Sequence, residues 1–280
     1  MLTLISISLA VAIVYVGLCA WLYFAQRSLL YFPQPRRLGP TQSVAQFNSG
    51  DALLQLTVSP QAGPRALLYF GGNGEDVSGS LAPLTEAFPD REIVMLHYRG
   101  YGGSTGRPTE QSLTEDAARL FDKVHAEHPD VIVMGTSLGT GVAMRLASTR
   151  PVSRLILVTP YDSLLEVAAR RFPIFPLRYL LIDKFESWRY VPGVNAPTLI
   201  LAAEHDEVIS TASTEQLRDR FPARQVSYVV IPRATHNTIS DAPDYLRALA
   251  AFNVASADAA EQSAPLASDG GAPRMPLRYI

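Results

Sequence analysis

Apolar residues recur along the middle of the chain in short continuous runs, and amphipathic stretches separate the runs. The runs lie at 66–70, 92–97, 131–134, 155–158, 198–202 and 226–231. Helical spacing of apolar residues occupies 112–126, 140–148, 213–221 and 243–252. Apolar strands that alternate with helices are typical of a mostly parallel sheet covered by helices on both faces. The pattern therefore predicts one α/β domain over 51–253.

The N-terminal segment has a different pattern. No charged side chain occurs among the 25 residues from Leu2 to Gln26. Because about 20 apolar residues span a bilayer core, we expect a transmembrane anchor over 1–26 and a single-pass membrane protein. Trp21, Tyr23 and Phe24 lie where an interfacial aromatic belt is expected. The alternative is a cleaved signal peptide, which fits less well because no basic region precedes the apolar run.

The flanking segments contribute less to the core. Residues 27–50 contain several Pro and Gly residues and are predicted to form a tether and loop that lead into the domain. The positive charges there, Arg27, Arg36 and Arg37, favour a cytoplasmic domain by the positive-inside rule. Residues 254–280 are rich in Ala, Ser, Asp, Gly and Pro, and are predicted to be a disordered tail.

Composition narrows the possible functions. Hydrophobic residues make up 48% of the chain, which excludes wholesale disorder. The net charge of −2 offers no basic surplus for nucleic acid. The single cysteine, Cys19, excludes an internal disulfide framework and a cysteine-rich metal site. No helical pair of histidines is spaced for zinc, so we predict no metal site. The oligomeric state stays open.

A candidate nucleophile lies in the motif G-x-S-x-G at 135–139. Gly135 and Gly139 flank Ser137, which follows an apolar run and precedes a helical pattern. This context predicts a sharp strand-to-helix turn that exposes the serine hydroxyl. The same motif occurs at 102–106, but Ser104 lies within a loop that no helix follows directly. We therefore predict that Ser137 is the nucleophile and that Ser104 belongs to a glycine-rich loop.

A reactive serine needs a base and an acid. His236 follows the last predicted strand and Asp206 follows the strand before it, so both come after Ser137 in the chain. This order of serine, acid and histidine is the one found in hydrolases with this architecture. Asp162 is the rival acid, although it could instead cap the helix that begins at 163. His97 ends a strand but precedes Ser137.

Two backbone N–H groups are needed to bind the oxyanion of an acyl-transfer intermediate. One is expected from Leu138, the residue after the nucleophile. The other is expected from the glycine-rich loop 71–74, with Asn73 as the donor and Gly74 as its alternate. Glycines in this loop let the backbone approach a substrate closely.

Taken together, these motifs resemble the alpha/beta-hydrolase superfamily and, within it, the membrane-anchored serine hydrolases of the Bem46-like branch. The matching stretches are the N-terminal span with 26–33, and then 69–75, 97–104, 135–139, 204–208 and 234–237. The resemblance implies a mostly parallel sheet of about eight strands, a short cap and no cofactor. The family usually has His-Gly-Asn where this chain has Gly71-Gly72-Asn73, a difference that bears on the rigidity of the oxyanion loop.

An apolar insertion at about 160–192 is the expected cap. Phe172, Phe175, Leu177 and Leu180 are its candidate pocket residues, and they would line an acyl-binding site above Ser137. The alternative is an amphipathic helix that only closes the core.

The predicted function is hydrolysis of carboxylic esters or thioesters through an acyl-enzyme. The substrate class includes lipid-derived acyl compounds, because an anchor would hold the domain beside a bilayer. Two alternatives stay open: peptidase or amidase chemistry on the same triad, and a non-catalytic scaffold that keeps the fold.

Overall fold

The computed structural model describes residues 1–37 and 43–261. Its strands are β1 (Ser43–Ser49), β2 (Ala52–Ser59), β3 (Arg65–Phe70), β4 (Glu92–Leu96), β5 (Asp130–Thr136), β6 (Arg154–Val158), β7 (Thr198–His205) and β8 (Val226–Thr235). Its helices are α1 (Leu2–Leu30), α2 (Leu81–Ala87), α3 (Glu110–Glu127), α4 (Leu138–Ala147), α5 (Leu164–Arg171), α6 (Leu177–Leu180), α7 (Thr211–Asp219) and α8 (Pro243–Glu261). Short 3₁₀ turns lie at Val77–Ser80, Ser187–Arg189, Val191–Gly193 and Ile239–Asp241.

Across the described residues, the strands form one sheet in the order β1-β2-β4-β3-β5-β6-β7-β8. Strand β2 runs antiparallel to β1 and β4, whereas β3 to β8 are parallel to one another. The mostly parallel sheet of about eight strands is thereby confirmed. Because parallel strands end at one edge, the loops after β3, β5, β7 and β8 meet there.

Two apolar clusters lie on opposite faces of the sheet. One contains side chains of α3 and α4, such as Leu120 and Val142, and the other contains side chains of α2 and α8, such as Leu84 and Leu249. Strand residues contribute alternately to the two clusters, as Leu67 and Leu68 do. This double coverage explains why the central strands are continuous apolar runs.

The N-terminal helix α1 is long and apolar enough to cross a membrane, and none of its most apolar stretch is buried. It continues past the predicted anchor end at 26 to Leu30. A signal sequence near the N-terminus has the same properties. Retention of α1 as an anchor is therefore a proposal.

The flanks of the domain differ from the sequence-based expectation. The range 27–50, predicted as a tether and loop, contains the last turn of α1 and all of β1. Within that range, residues 38–42 lie outside the described residues. The predicted tail at 254–280 begins inside α8, which extends to Glu261. The rest of the tail, 262–280, also lies outside the described residues.

A buried ion pair joins the antiparallel edge to the helical layer. Arg99 makes a two-point contact with Asp116 of α3, with nitrogen–oxygen distances of 2.8 and 3.0 Å. The hydroxyl of Ser49 donates to the same carboxylate at 2.6 Å, and Arg99 also donates to the Ser49 carbonyl. Both side chains are buried, whereas Asp51, a further partner of Arg99, is 85% exposed.

We predict that Asp116→Ala lowers the free energy of unfolding by about 3–5 kcal/mol, because it leaves the buried Arg99 charge without its carboxylate. Asp51→Ala is the matched control, since it removes an exposed partner of the same arginine and should cost about 0.2–1 kcal/mol. Urea titrations in mild detergent, followed by circular dichroism, measure both. Equal losses for the two variants would contradict the assigned burial.

Candidate active site

Ser137 occupies a strained turn between β5 and α4. Its backbone φ of 49° and ψ of −115° lie in a region that residues with side chains rarely adopt. The turn is held by hydrogen bonds from Ser137 N–H to the Val158 carbonyl, at 2.9 Å, and from Thr140 N–H to the Ser137 carbonyl, at 2.9 Å. The strain places the serine side chain at the start of α4, on the carboxyl edge of the sheet.

Gly135 and Gly139 are required by close packing on either side of this turn. A Cβ on Gly139 would overlap the carbonyl oxygen of Phe70 in β3, and a Cβ on Gly135 would overlap the carbonyl of Gly139. Neither neighbour can move independently, because both are backbone atoms of packed elements. These glycines therefore let α4 begin directly against the sheet.

The structure brings the predicted base and acid to Ser137. His236 Nε2 lies 2.9 Å from Ser137 Oγ, and His236 Nδ1 lies 2.9 Å from Asp206 Oδ2. Asp206 Oδ1 also accepts hydrogen bonds from the backbone N–H groups of Val208 and Ile209, at 2.9 and 2.7 Å. The side chains of His236 and Asp206 are only 9% and 5% exposed, so water competes little for these contacts.

Asp162, Ser104 and His97, the alternatives considered for the acid, the nucleophile and the base, have other partners. Asp162 pairs with Arg220 at 2.6 Å, and the cap of α5 is Ser163 rather than Asp162. Ser104 Oγ donates to the His97 carbonyl at 2.8 Å, as expected for a loop residue. His97 Nε2 lies 2.9 Å from Thr57 Oγ1. Burial lowers the pKa of His97 to about 4, so this histidine is neutral at neutral pH.

The loop after β3 passes directly beside the nucleophile. A Cβ on Gly72 would lie 3.6 Å from Ser137 Cβ. Gly72 donates its own N–H to the Glu75 carboxylate at 2.6 Å. The next N–H along the loop, that of Asn73, is therefore the candidate partner for Leu138 N–H in an oxyanion site.

Glu75 supports this loop from beneath, a role that the sequence analysis missed. Besides the Gly72 N–H, its carboxylate accepts hydrogen bonds from the hydroxyls of Tyr69 and Ser80, at 2.8 and 2.9 Å. Burial raises the pKa of Glu75, and these donors partly oppose the rise. A Cβ on Gly71 would overlap Val77 and crowd Glu75, so a larger side chain at position 71 does not fit this arrangement. A glutamate two residues after Asn73, inside a glycine-rich turn, was the available signal.

The Asn73 side chain holds the loop from the other side. Its Oδ1 accepts from Phe32 N–H at 3.1 Å and from the Tyr101 hydroxyl at 2.9 Å. Its Nδ2 donates to the carbonyl of Leu30, the last residue of α1, at 2.5 Å. The oxyanion loop is thus bonded directly to the end of the apolar helix.

The predicted cap at about 160–192 contains α5, α6 and two 3₁₀ turns. Of its four candidate pocket residues, Phe172 is 53% exposed and Leu177 is buried. Phe175 stacks on Tyr15 of α1, and the Leu180 carbonyl accepts a hydrogen bond from the Gln26 side-chain amide. These contacts direct the segment toward α1, and its role as an acyl pocket stays a prediction.

A cleft of about 240 Å³ separates α5 from the loop that carries the acid. Val167, Arg171, Asp206 and Val208 are among its lining residues. The cleft therefore lies between the cap and Asp206. Within 1–37 and 43–261, no group of three or more His, Cys, Asp or Glu residues is arranged to hold a metal ion.

The chain is similar in sequence to known proteins over most of its length. Residues 68–194 match the profile of the Alpha/beta hydrolase family. An uncharacterized protein of Mycobacterium tuberculosis is 33% identical over 248 residues, which cover 81% of this chain and 86% of that protein. Protein bem46 of Schizosaccharomyces pombe is 28% identical over 280 residues, covering 88% of this chain and 90% of the yeast protein.

A lysophosphatidylserine lipase of Macaca fascicularis is similar over a shorter region. It is 35% identical over 139 residues, which make up 42% of this chain and 34% of the lipase. Because the similarity spans about a third of the lipase, it supports a comparison of that shared region rather than of whole proteins.

Solved structures show the same fold at low identity. An esterase of Pyrococcus furiosus superposes with a TM-score of 0.63 at 16% identity, covering 79% of this chain and 98% of the esterase. A proline iminopeptidase of Mycobacterium smegmatis gives a TM-score of 0.63 at 17% identity, covering 78% of this chain and all (100%) of the peptidase. An esterase and a peptidase share this fold, so the fold does not choose the substrate.

We predict that Glu75→Ala lowers kcat on a p-nitrophenyl ester by about 10²-fold with little change in KM, the loss typical of one oxyanion donor. The physical reason is that the Gly72–Asn73 backbone loses its support. Glu75→Gln is the matched variant, because it keeps an oxygen for Gly72 N–H and should recover most of kcat. Steady-state kinetics at temperatures below each variant's thermal transition give the comparison. An unchanged kcat in Glu75→Ala would contradict the role.

Proposed function

Because the chain belongs to the alpha/beta-hydrolase superfamily, in its Bem46-like branch, and is a hydrolase, we propose that it is a membrane-anchored serine hydrolase of carboxylic esters or thioesters. The observation that supports this proposal most is the continuous contact from Ser137 Oγ through the His236 ring to Asp206, with both joining distances at 2.9 Å.

In the proposed mechanism, Ser137 Oγ attacks the carbonyl carbon while His236 Nε2 takes the hydroxyl proton. Asp206 orients the ring and stabilises the imidazolium that forms. The N–H groups of Leu138 and Asn73 bind the oxyanion, aided by the positive end of the α4 dipole. His236 then protonates the leaving alcohol or thiol, and the acyl group stays on Ser137.

Deacylation repeats these steps with water as the nucleophile. His236 Nε2 removes a proton from water, the hydroxide attacks the acyl carbon, and the same two N–H groups bind the second oxyanion. The acid product leaves as Ser137 Oγ regains its proton from His236. Each proton transfer is served by a side chain of this protein, so the proposal includes no cofactor.

The anchor is part of the proposal, and contacts beyond the span support its retention. Arg27 pairs with Asp183 at 3.1 Å, and Tyr31 donates to the same carboxylate at 3.1 Å. A cleavage before Gln26 would remove Tyr15, whose hydroxyl donates to the Ile174 carbonyl and whose ring stacks on Phe175. The cytoplasmic orientation of the domain, inferred from Arg27, Arg36 and Arg37, stays a prediction.

We predict that a fluorophosphonate probe labels the wild-type protein and that Ser137→Ala abolishes labelling, together with a fall in kcat of about 10⁶-fold. Ser104→Ala is the matched control, because it alters the second G-x-S-x-G motif and should keep the label. Circular dichroism checks that both variants fold. Persistent labelling of Ser137→Ala would refute Ser137 as the nucleophile, and an unlabelled wild-type protein would favour the non-catalytic scaffold.

We expect p-nitrophenyl esters and acyl thioesters to be hydrolysed with kcat/KM at least tenfold above that for aminoacyl anilides of similar size. An amine is a poor leaving group, so amide cleavage demands more of His236 as an acid, whereas alcohol and thiol leaving groups demand less. The lipase relative also supports esters. Parallel initial-rate measurements with one enzyme preparation make the comparison. A preference for the anilides would establish the peptidase alternative.

A further inference from the structure

The cap lies alongside α1 and is bonded to it near the charged end of the helix. Gln26 Nε2 donates to the Leu180 carbonyl at 3.0 Å, and Ile182 N–H donates to Gln26 Oε1 at 2.7 Å. One residue further, Arg27 forms its ion pair with the buried Asp183. Gln26 is itself buried, so both polar ends of its amide are satisfied by the cap rather than by water.

A second contact lies nearer the N-terminus of the same helix. The Tyr15 hydroxyl donates to the Ile174 carbonyl at 2.8 Å, and the Tyr15 ring stacks on Phe175 with centroids 6.2 Å apart. Tyr15 precedes Arg27 by 12 residues, which is about 18 Å along a helix at 1.5 Å per residue. The cap segment therefore runs back along α1, toward its N-terminus.

The length of α1 then limits where the membrane surface can lie. The uncharged stretch of α1 from Leu2 to Gln26 comprises 25 residues, and Tyr15 lies near its middle, about 20 Å from Leu2 and about 17 Å from Gln26. A hydrocarbon core is about 30 Å thick, and tilting a helix only shortens its span. If this uncharged stretch crosses the bilayer, a core of that thickness includes Tyr15 and the cap residues that contact it.

The chemistry of the cap at this depth suits a lipid environment. The cap tip, residues 172–177, has the sequence Phe-Pro-Ile-Phe-Pro-Leu and contains no charged residue. Ile174 is 70% exposed and Tyr179, just beyond the tip, is 82% exposed. Pro173 and Pro176 have no backbone N–H to remove from water, and the Ile174 carbonyl is satisfied by Tyr15.

Cationic side chains flank this apolar tip. Arg171 precedes it, and Arg178 and Lys184 follow it, whereas the nearby Arg170 is paired with Glu166 at 2.6 Å. Long basic side chains that border an apolar segment can extend to phosphate groups at the interface, and they favour anionic lipids. The charge pattern therefore complements the surface of an anionic bilayer.

We propose that the cap tip inserts into an anionic bilayer beside α1, so that the active site takes lipid esters directly from the membrane. The proposal rests on the proposed function, since it needs α1 as a retained anchor and Ser137 as the nucleophile. It deepens that function by naming membrane-resident acyl lipids as the substrate class.

Two contacts connect the inserted region with the reacting groups. Asn73, the candidate oxyanion donor, is bonded to the Leu30 carbonyl at the end of α1. On the other side, Tyr161, at the start of the cap, donates its hydroxyl to the carbonyl of Leu138, the second candidate donor, at 3.1 Å. The anchor and the cap therefore meet the oxyanion site from two sides.

Insertion depth can be measured on the full chain in vesicles of phosphatidylcholine and phosphatidylglycerol. Cys19→Ala removes the native thiol, and Ile174→Cys then carries an environment-sensitive nitrobenzoxadiazole label. We expect a blue-shifted emission that nitroxide lipids quench and aqueous iodide does not. The control label at Val230→Cys, an apolar position on β8 that is 46% exposed, should show the reverse. Iodide quenching of the 174 label equal to that at 230 would overturn insertion.

Delivery of substrate from the bilayer is tested with Ile174→Glu. We expect it to slow hydrolysis of vesicle-embedded p-nitrophenyl palmitate at least tenfold and to leave soluble p-nitrophenyl acetate unchanged, with Val230→Glu altering neither rate. Equal rates on palmitate for Ile174→Glu and wild type would overturn delivery. If the wild-type protein hydrolyses neither ester, the proposed function and delivery both fail, while the label still decides insertion.

Discussion

The active site depends on the backbone of a single residue that is held in an unfavourable conformation. Ser137 has a positive φ, and the surrounding structure compensates because α4 begins within contact distance of the β3 and β5 backbones. Only glycine fits at 135 and 139, since any Cβ there would meet fixed backbone atoms. The hydroxyl consequently lies at the carboxyl edge of the sheet, where the loops after β7 and β8 carry Asp206 and His236, the proposed acid and base.

The oxyanion loop is held from two directions by side chains of different character. On one side, the buried Glu75 carboxylate accepts hydrogen bonds from the Gly72 N–H and from two hydroxyls. On the other side, the Asn73 amide bonds to the end of α1. Because a flexible donor stabilises an oxyanion poorly, this double support favours the proposed role of the loop. The arrangement also makes the helix terminus a structural neighbour of the reacting atoms.

Polar contacts decide how α1 relates to the domain. An apolar helix could pack on the cap in many rotations, but Gln26 and Arg27 select the one in which the cap satisfies the amide and Asp183 pairs with the guanidinium. The hydrogen bond from Tyr15 to the Ile174 carbonyl fixes the same rotation of α1 nearer its N-terminus. Helix α1, the cap and the loop at 71–74 are thus one connected unit, which is the physical basis of the proposal that the substrate site lies at a membrane surface.

The sequence by itself determined the central parallel strands and the sharp turn at Ser137, because these depend on local apolar runs and glycine spacing; the roles of Ser137, Asp206 and His236 stay a prediction. It did not reveal β1 and β2. β1 is an edge strand with mostly exposed side chains, and β2 contains the buried polar residues Gln55 and Thr57, which break the apolar pattern. Only the tertiary structure decided the pairing of Gln26 with the cap, since its partners lie 154 and 156 residues away and leave no periodic signal along the chain. The partners of Glu75 are local in sequence, but its support of the loop depends on a turn conformation that apolar periodicity does not report.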